Sequence, residues 1–530
     1  MNILMLAAEN GAIPGGKVGG MGDVMRDVPR ALAALGHELD VVTPGYQAFS
    51  TLPGARQVAA IQVPFAGRDE RITVHRLDLE PGPESAPVRH WLLEHPAFAP
   101  VTPGKIYCDD PADRPFATDA HKFALFSRAA LHLLLAGDLR PDVLHLHDWH
   151  TAFAAILLRY DPVYLALSRI PLVYTIHNLA LQGVRPLYGD GSSLGHWFPG
   201  LKYSPVDICD PRYAGCVNPM RAAINLCDRI HAVSPTYARE IQKPADPDAG
   251  FSGGEGLDKD LQKAHREGRL HGILNGCAYD VARAEGNYAD FMECAGDHLE
   301  QWLSQQPLLD SGHYLALRRL DAWRARDRAR PDFLLTSVGR LTGQKVSLLR
   351  QPQKDGRSTL EHLLERLAAV NGQLIMLGSG DPAFEQFFTA LAARHKHFLF
   401  LRGFSETLAH WLYSRGDLFL MPSSFEPCGI SQMLAMRAGQ PCLAHGTGGL
   451  VDTIDDDRNG FLFYGDTPFQ QAENLLDRFD EVLAMRETRS AAWHKLCDGA
   501  AAARFRWEDV AKAYVAQLYG QEGSRTGDGK

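Results

Sequence analysis

The sequence predicts an α/β protein made of two halves, each a parallel sheet flanked by helices. Short apolar runs that end in Gly, Pro, Asn or polar residues alternate with helical patterns along most of the chain, and this alternation is typical of parallel sheets. A charged helical stretch, Asn287 to Arg330, interrupts the alternation. The strand–helix pattern then starts again, which predicts a second Rossmann-like half.

Composition and charge limit the class of protein. The 530 residues suffice for two or three domains, and 45% of them are apolar and 22% charged, as in ordinary globular proteins. A net charge of −9 argues against a protein that coats nucleic acid, and no apolar stretch approaches the roughly 20 residues of a membrane span. Nine cysteines without a CxxC pair indicate free thiols and predict a cytoplasmic protein.

The first half begins with an apolar strand around residues 3–8, followed by a helix predicted over 24–38. The helix is predicted because apolar side chains recur on one face and a glycine closes the pattern. The residues concerned are Val24, Val28, Leu32, Leu35 and the closing Gly36. Further strands of this half are predicted at 38–44, 142–148, 171–178, 229–235 and 271–276.

The second half repeats this pattern after the helical stretch. Its strands are predicted at 333–341, 372–382, 397–404, 417–423 and 440–449. Ligands of open α/β sheets bind beyond the carboxyl ends of the strands. We therefore expect the two halves to face each other across a cleft that holds a nucleotide and a second substrate.

The stretch "GGKVGGMGDV" places Lys17 and three glycines where the first strand should turn into a helix. Glycines let a backbone approach a ligand closely, and a helix N-terminus carries free N–H groups and partial positive charge. This is a suitable place for phosphate. An ordinary tight turn with a surface lysine is an equally good interpretation of this stretch alone.

The second half offers cations and glycine-rich turns at the ends of its strands. Arg340 and Lys345 follow the first of them, Glu426 precedes a turn and a helix that begins near Ile430, and "GTGGL" precedes another helix. Cations and helix N-termini are what a diphosphate leaving group needs, because charge stabilisation is usually the largest catalytic contribution.

Two motifs, one rich in histidine and one acidic, are compatible with a metal site. "HLHDWH" at 145–150 could belong to a metal-dependent hydrolase, although no further cluster with metal-ligand spacing accompanies it. Asp455–Asp457 could bind a divalent ion, but this acidic stretch beside "RNGFLF" is typical of a solvated loop. A metal is not required if lysine and arginine neutralise the diphosphate, so we predict no metal and no cofactor.

The motifs, taken together, resemble a known family. "KVGGMGDV" is similar to the KTGGLGDV signature of bacterial glycogen and plant starch synthases, with Val18 replacing threonine. "HDWHT", "YTIHNLALQG", "VGRLTGQK", "GSGDP", "FEPCGISQ" and "TGGLVDT" follow in the order of that family, and "FRWEDVAKAYVAQLY" resembles its closing helix. The resemblance spans about residues 1 to 520 and identifies the chain as a member of the ADP-glucose-type glycogen synthases.

The resemblance implies the GT-B glycosyltransferase fold and a reaction. The reaction is transfer of glucose from ADP-glucose to the non-reducing 4-OH of an α-1,4-glucan, with retention and release of ADP. The implied partners are ADP-glucose and a glycogen or maltodextrin acceptor. The implied domains are an N-terminal domain, a helical link, a nucleotide-sugar domain, and a last helix that crosses back and is followed by a tail, at 1–286, 287–330, 331–505 and 506–530.

The same resemblance implies the site residues. Those matched to catalytic positions are Glu426, His177, Lys345, Arg340 and Asp148. Those matched to substrate-binding positions are Lys17, Gly19, Gly20, Asp23, Asn275, Phe404, Cys428, Gly429, Thr447, Gly448 and Gly449. In this reading the cations neutralise the diphosphate, Glu426 lies near the developing oxocarbenium charge, and Phe404 replaces an aromatic residue, usually Tyr, that stacks on the base.

Three alternatives remain. A different retaining GT-B enzyme could use UDP-glucose or another acceptor, although the Glu-x7-Glu pattern of one related family is missing because Leu434 stands at the second position. A non-catalytic glucan-binding protein would be expected to lack Glu426, Lys17 or Arg340, and all three are present. Nucleotide-sugar epimerases of the same fold lack the HDWH and EPCG motifs. Departures from the family at 277–285 and 346–358 bear on donor and glucan contacts.

Overall fold

The computed structural model describes residues 1–79, 88–137, 139–279, 286–305, 310–325, 330–488 and 491–520. The chain forms two compact units. Unit 1 consists of Met1–Ala245, Ser252–Asn275 and Trp507–Lys530, and unit 2 consists of Asp246–Phe251 and Gly276–Arg506. Part of the predicted departure at 277–285 and the predicted tail beyond residue 520 lie outside the described residues. Along the described parts of the chain, no helix is both long enough and apolar enough to cross a membrane.

Parallel sheets form the centre of both units, which confirms the predicted α/β class. The strands of unit 1 are β1 Asn2–Leu6, β2 Glu38–Pro44, β3 Ala55–Phe65, β4 Arg68–Leu77, β5 Val88–Glu94, β6 Val143–His147, β7 Leu172–Ile176, β8 Arg185–Pro186, β9 Cys216–Val217, β10 Arg229–Ala232 and β11 Leu270–Gly272. The strands of unit 2 are β12 Phe333–Val338, β13 Gly372–Gly378, β14 Phe398–Arg402, β15 Leu418–Met421, β16 Cys442–His445 and β17 Gly460–Phe463.

The helices cover the faces of these sheets. In chain order they are α1 Gly20–Ala34, α2 Ala117–Leu135, α3 Asp148–Thr151, α4 Phe153–Tyr160, α5 Leu194–Trp197, α6 Pro205–Ile208, α7 Pro219–Leu226, α8 Pro235–Glu240, α9 Asp258–Arg266, α10 Tyr288–Ser304, α11 Ser311–Arg324, α12 Gly343–Arg350, α13 Thr359–Ala369, α14 Pro382–Arg394, α15 Glu406–Arg415, α16 Ser431–Arg437, α17 Gly449–Thr453, α18 Pro468–Glu487, α19 Ala491–Ala502 and α20 Trp507–Tyr514.

The sheet of unit 1 has the strand order β11-β10-β7-β6-β1-β2-β5-β4-β3 among the described residues. The strands from β11 to β5 run parallel to their neighbours, whereas β4 and β3 add an antiparallel edge that the sequence analysis did not predict. After β2 the chain forms the outer edge strand β3, returns inward through β4 to β5, and then crosses to the other side of β1 with β6. The direction in which strands are added therefore reverses between β1 and β6, and this is the topological switch point of the sheet.

The sheet of unit 2 is parallel throughout, with the order β14-β13-β12-β15-β16-β17. Numbered within the unit, this is 3-2-1-4-5-6, the arrangement of dinucleotide-binding folds. Its switch point lies between β12 and β15, and ligands of such sheets bind beyond the carboxyl ends of the strands there. The segment "GFLF", expected beside a solvated loop, is the edge strand β17, whose four residues are all buried.

The stretch 287–330, predicted as a helical link, contains α10 and α11, which pack against the sheet of unit 2. Apolar residues of both helices share one core with residues of β12, β13, β14 and α15. An example is Phe291, whose ring stacks on Trp411 with centroids 4.1 Å apart. The contacts of this stretch therefore make it part of unit 2.

Residues distant in sequence complete the core of unit 1. Helix α20 continues into a π-helical turn, Val515–Tyr519, and its buried side chains share a core with those of α1. Val28 and Leu32 of α1 are fully buried there, as the helical pattern predicts. Leu35, predicted for the same face, is 40% exposed because the helix ends at Ala34.

This difference within α1 gives a matched stability test. Leu32→Ala should lower the free energy of unfolding by about 2–5 kcal/mol, because it leaves a cavity beneath a fully buried side chain. Leu35→Ala, the same change three residues later, should cost less than about 0.5 kcal/mol. Denaturant unfolding of the two variants checks the difference, and equal losses would show that the burial of this helix face is misassigned.

Candidate active site

The switch point of unit 2 brings three predicted site residues to one place. Arg340 follows β12, Lys345 lies on α12, and Glu426 follows β15. Lys345 Nζ forms an ion pair with Glu426 Oε2, which also accepts a hydrogen bond from Ser423 Oγ at 3.2 Å. Arg340 is exposed, and no ion pair of its side chain is found within the described residues. Arg340, Lys345 and Ser423 line a small cavity of about 50 Å³ at the switch point.

Glu426 is only 4% exposed, so its charge needs compensation inside the protein. A buried carboxylate is costly unless a partner and hydrogen bonds compensate the lost hydration. The Lys345 ammonium and the Ser423 hydroxyl provide both. The carboxylate is therefore held in one orientation, beside a cation that can also bind a second anion.

The two glycine turns of unit 2 pack directly against each other. The Gly449 N–H donates to the backbone carbonyl of Glu426 at 3.0 Å, so this predicted phosphate donor is engaged within the protein. A Cβ on Gly449 would collide with the carbonyl of Cys428. Gly429 and Gly448 both have positive φ, +73° and +48°, a backbone conformation that glycine adopts at little cost. Thr447, just before this turn, is buried.

Phe404 lies in a turn after β14, in the same unit, and 63% of its surface is exposed. A larger cavity of about 630 Å³, bounded by Arg330, Trp411 and Gln440, lies where strands β12, β15 and β16 begin. That is the opposite edge of the sheet, and no predicted site residue lines this cavity.

In unit 1 the glycine turn surrounds a carboxylate that the sequence analysis missed. Glu9 follows β1 and accepts hydrogen bonds from the backbone N–H groups of Val18 at 2.8 Å and Gly19 at 2.7 Å. Its other oxygen accepts from Tyr107 Oη at 2.8 Å. The Gly19 amide, in the turn where the sequence predicts a phosphate site, is therefore occupied by Glu9, as is the amide of Val18. The available signal was its position, because Glu9 is the first polar residue after a buried strand at the switch point.

The remaining predicted residues of this turn lie at the start of α1. Lys17 Nζ forms a 2.7 Å ion pair with Asp23, and Gly19 occupies the N-cap position of the helix. A Cβ on Gly20 would meet nothing within 4 Å, so the backbone is open to an approaching group at this position.

Asp148 and His177 follow neighbouring strands and are joined through the backbone. Asp148 Oδ1 accepts from the N–H groups of His177 at 2.7 Å and Asn178 at 3.4 Å. Burial raises the pKa of Asp148 to about 8, although these hydrogen bonds act in the opposite direction. Asp148 has a φ of +53°, a left-handed conformation that aspartate tolerates better than most residues. The carboxyl is thus buried and close to neutrality in charge at physiological pH.

His177 is also held by a second histidine, His147. His147 Nδ1 lies 2.9 Å from His177 Nε2, and burial lowers the pKa of both imidazoles, so both are neutral near pH 7. His147 Nε2 is buried and has no partner within the described chain. An unpaired buried N–H is rarer than an unpaired acceptor. This favours a proton on His147 Nδ1, which leaves His177 with its N–H at Nδ1.

A buried chain of hydrogen bonds connects Tyr519, in the π-helical turn after α20, to His145 of β6 and onward to His231 of β10. His231 Nε2 lies 3.0 Å from the carbonyl of Ile273, which can only accept, so a neutral His231 carries its proton there. Thr175 then donates to His231 Nδ1 at 3.0 Å and accepts from His145 Nε2 at 2.7 Å. His145 Nδ1 accepts from Tyr519 Oη at 2.7 Å. The Tyr514 hydroxyl also lies 3.2 Å from His231 Nδ1, so this nitrogen faces two hydroxyl groups.

Several residues of the two motifs considered for a metal site have hydrogen-bonding or charged partners within the protein. Two nitrogens of His145 are hydrogen-bonded as above, and Asp456 and Asp457 pair with Arg478 at 2.8 and 2.7 Å. Within the part of the chain that the structure describes, no group of three or more His, Cys, Asp or Glu side chains is arranged to hold a metal ion. Asn275 follows β11 and ends that segment of unit 1. Its Oδ1 is buried and has no partner among the described residues.

Comparison with known proteins decides the family. The starch synthase catalytic domain model matches residues 2–263, and a model of group 1 glycosyl transferases matches residues 345–481. A glycogen synthase of Anaeromyxobacter dehalogenans is 35% identical and aligns with 97% of this chain and 98% of its own length. A glycogen synthase of Streptococcus sanguinis is 32% identical, with 98% and 99% covered.

The chain belongs to the glycogen synthase family.

Solved structures confirm the GT-B fold of this glycogen synthase family member. The catalytic domain of starch synthase IV from Arabidopsis thaliana, bound to ADP and acarbose, is 27% identical, with a TM-score of 0.75 and 98% of both chains covered. Sucrose-phosphate synthase from Thermosynechococcus elongatus is 17% identical with a TM-score of 0.54, a similarity of fold alone. The family models, the glycogen synthase relatives and the starch synthase structure confirm the prediction of a glycosyltransferase.

The buried histidines predict a dependence of stability on pH. Burial lowers the pKa of His231 from 6.5 to about 4, and the pKa values of His145, His147 and His177 are also well below 6.5. At these four histidines the unfolded chain therefore binds more protons than the folded chain over this range, and the raised pKa of Asp148 opposes part of this effect. The stabilisation is complete above about pH 6.5 and is lost as the pH falls toward 4, at up to about 1.4 kcal/mol per pH unit for each histidine.

Denaturant unfolding at about pH 7.5 and about pH 5.5 measures this loss. His145→Gln removes one of the titrating groups and should reduce the difference between the two conditions. An unchanged difference would show that His145 does not contribute to the pH dependence.

Proposed function

We propose that this chain transfers glucose from ADP-glucose to the non-reducing 4-OH of an α-1,4-glucan, with release of ADP and retention at the anomeric carbon. The observation that carries the proposal is the Lys345–Glu426 ion pair at the switch point of unit 2, with Arg340 beside it. This ion pair occurs in a chain that belongs to the glycogen synthase family. A related starch synthase bound to ADP and acarbose supports an adenine nucleotide and a glucan as ligands.

In unit 2 we assign the diphosphate to the cations. Arg340 is exposed at the end of β12, and Lys345 shares the cavity that Arg340 lines. Two positive charges stabilise the negative charge that develops on the leaving phosphate, without a metal ion. Cys428 and Gly429 would contact the sugar from the turn that begins at Glu426. Thr447, Gly448 and the backbone around Gly449 would contact the phosphates from the neighbouring turn.

Glu426 would act on the sugar. Its carboxylate is buried and oriented by two partners, so it can stabilise positive charge at the anomeric carbon without reorganising during the reaction. The acceptor hydroxyl would pass its proton to the departing phosphate oxygen, which keeps attack and departure on one face of the sugar. No enzyme nucleophile is needed for this step.

In unit 1 we assign the sugar and acceptor contacts to residues at the ends of strands. His177, held by His147 and Asp148, would present its Nδ1–H to a sugar oxygen. Asn275 would use its unpaired buried oxygen to accept from a hydroxyl. Lys17, whose partner is Asp23, would contact the donor, with Gly19 and Gly20 allowing close approach. A cytoplasmic location stays a prediction.

The first test is a turnover assay with ADP-glucose and UDP-glucose in parallel, each with and without glycogen. We expect release of nucleoside diphosphate that requires glycogen and is at least about tenfold faster with ADP-glucose, a difference of about 1.4 kcal/mol in transition-state binding. Equal release without glucan would contradict the synthase assignment. Faster turnover with UDP-glucose would keep the reaction class and overturn the choice of donor.

The second test is Glu426→Gln. This change keeps the shape of the side chain but removes its charge, so kcat should fall about 100-fold or more. The KM for ADP-glucose should change only a few-fold, because the charge acts mainly in the transition state. Glu361→Gln alters a helix-capping carboxylate of α13 and serves as a control with unchanged kcat. Normal turnover of Glu426→Gln would remove Glu426 from the mechanism.

A further inference from the structure

The turn that carries Phe404 packs against α10 and α11. Three residues on one face of α10, Cys294, His298 and Trp302, are spaced four apart, which places them above one another along the helix. His298 and Trp302 both reach the turn after β14. We define this turn as Arg402–Ser405, which is the last residue of β14 and the three residues after it.

Hydrogen bonds hold both ends of the turn. His298 Nδ1 lies 2.8 Å from the carbonyl of Cys294, so a neutral His298 carries its proton there, and its Nε2 accepts from Ser405 Oγ at 2.9 Å. At the other end, His313 Nε2 donates to the carbonyl of Arg402 at 2.8 Å. The Arg402 side chain forms an ion pair with Asp310, the N-cap residue of α11.

Trp302 packs against the middle of the turn. A Cβ on Gly403 would lie 3.0 Å from carbons of the Trp302 indole, and Gly403 has a φ of +157°. The indole and the His313 ring are 5.8 Å apart. The backbone beneath Phe404 is therefore held by an indole and two imidazoles, while the Phe404 ring itself is 63% exposed.

We infer that His298, Trp302 and His313 are positioning residues for nucleobase binding: they hold the Arg402–Ser405 turn so that the Phe404 ring is presented to the base before the nucleotide arrives. The inference rests on the proposed function, which assigns the base to Phe404. An exposed ring on a free turn would lose conformational entropy on binding, and a ring held in advance loses less. The two helices thus increase affinity for the base without contacting it.

The test compares binding of ADP and of inorganic pyrophosphate by isothermal titration calorimetry, because pyrophosphate lacks the base. Phe404→Ala should weaken ADP binding at least about fivefold, the lower end for loss of one aromatic–base stack, and leave pyrophosphate binding unchanged. Trp302→Ala and His298→Ala should each weaken ADP binding at least about twofold, the smallest effect expected from lost pre-organisation, again without affecting pyrophosphate.

Trp323→Ala is the matched control. Trp323 lies on α11, is also largely buried, and donates to the carbonyl of Lys396 at 3.0 Å, away from the turn. Its loss should lower stability but leave the affinity for ADP unchanged. If Trp302→Ala fails to fold, His298→Ala still tests the inference, because alanine preserves the helical preference of α10.

A double variant separates positioning from general weakening. If the helices act through Phe404, adding Trp302→Ala to Phe404→Ala should weaken ADP binding no further, because contacts that act as a unit are not additive. Additive losses, an equal loss for pyrophosphate, or the same loss in Trp323→Ala would each overturn the inference. Unchanged ADP binding in Phe404→Ala alone would instead refute the role of Phe404 in the proposed function, and the inference with it.

Discussion

The candidate site depends on one constraint of parallel sheets: strands that run in the same direction end at the same edge. In unit 2 this brings Arg340 and Glu426, which are far apart in sequence, to either side of one switch point. In unit 1 it brings together Glu9, Asp148 and His177, each of which follows a different strand of the sheet. The sheet thus places the polar groups, and the loops adjust them.

Burial then determines the state of these groups. Where a charge is kept, as at Glu426, a cation and a hydroxyl compensate the lost hydration. Where no partner of opposite charge is near, burial favours the neutral form, as the raised pKa of Asp148 and the lowered pKa of His177 indicate. The same protein therefore holds cations beside a paired carboxylate in unit 2 and neutral donors and acceptors in unit 1. In the proposed function the cations of unit 2 bind the diphosphate, and the neutral groups of unit 1 bind sugar hydroxyls.

Much of this arrangement could be predicted from the sequence, because each motif lies at the end of a buried strand. The runs at 38–44 and 333–341 contain β2 and β12, and the predicted helix start near Ile430 agrees with α16. Long-range pairing could not be predicted in this way. Glu9 has no motif of its own, and nothing local indicates that its partners are the amides of Val18 and Gly19.

The placement of α10 and α11 was also beyond the sequence pattern. An amphipathic helix shows which of its faces is buried but not which sheet it covers. The stretch 287–330 therefore resembled a connector, and only its contacts with β14 and the Arg402–Ser405 turn reveal its partner. The antiparallel edge of β3 and β4 could not be predicted from the alternation of strands and helices, because a hairpin departs from that alternation.

The division of unit 1 along the chain has a consequence for biosynthesis. Its core includes α1 and also the segment from Trp507 to Tyr519, and the whole of Gly276–Arg506 lies between them. Domains generally fold during translation in the order in which they leave the ribosome. In this chain the whole of Gly276–Arg506 therefore leaves the ribosome before the C-terminal packing partners of α1 do.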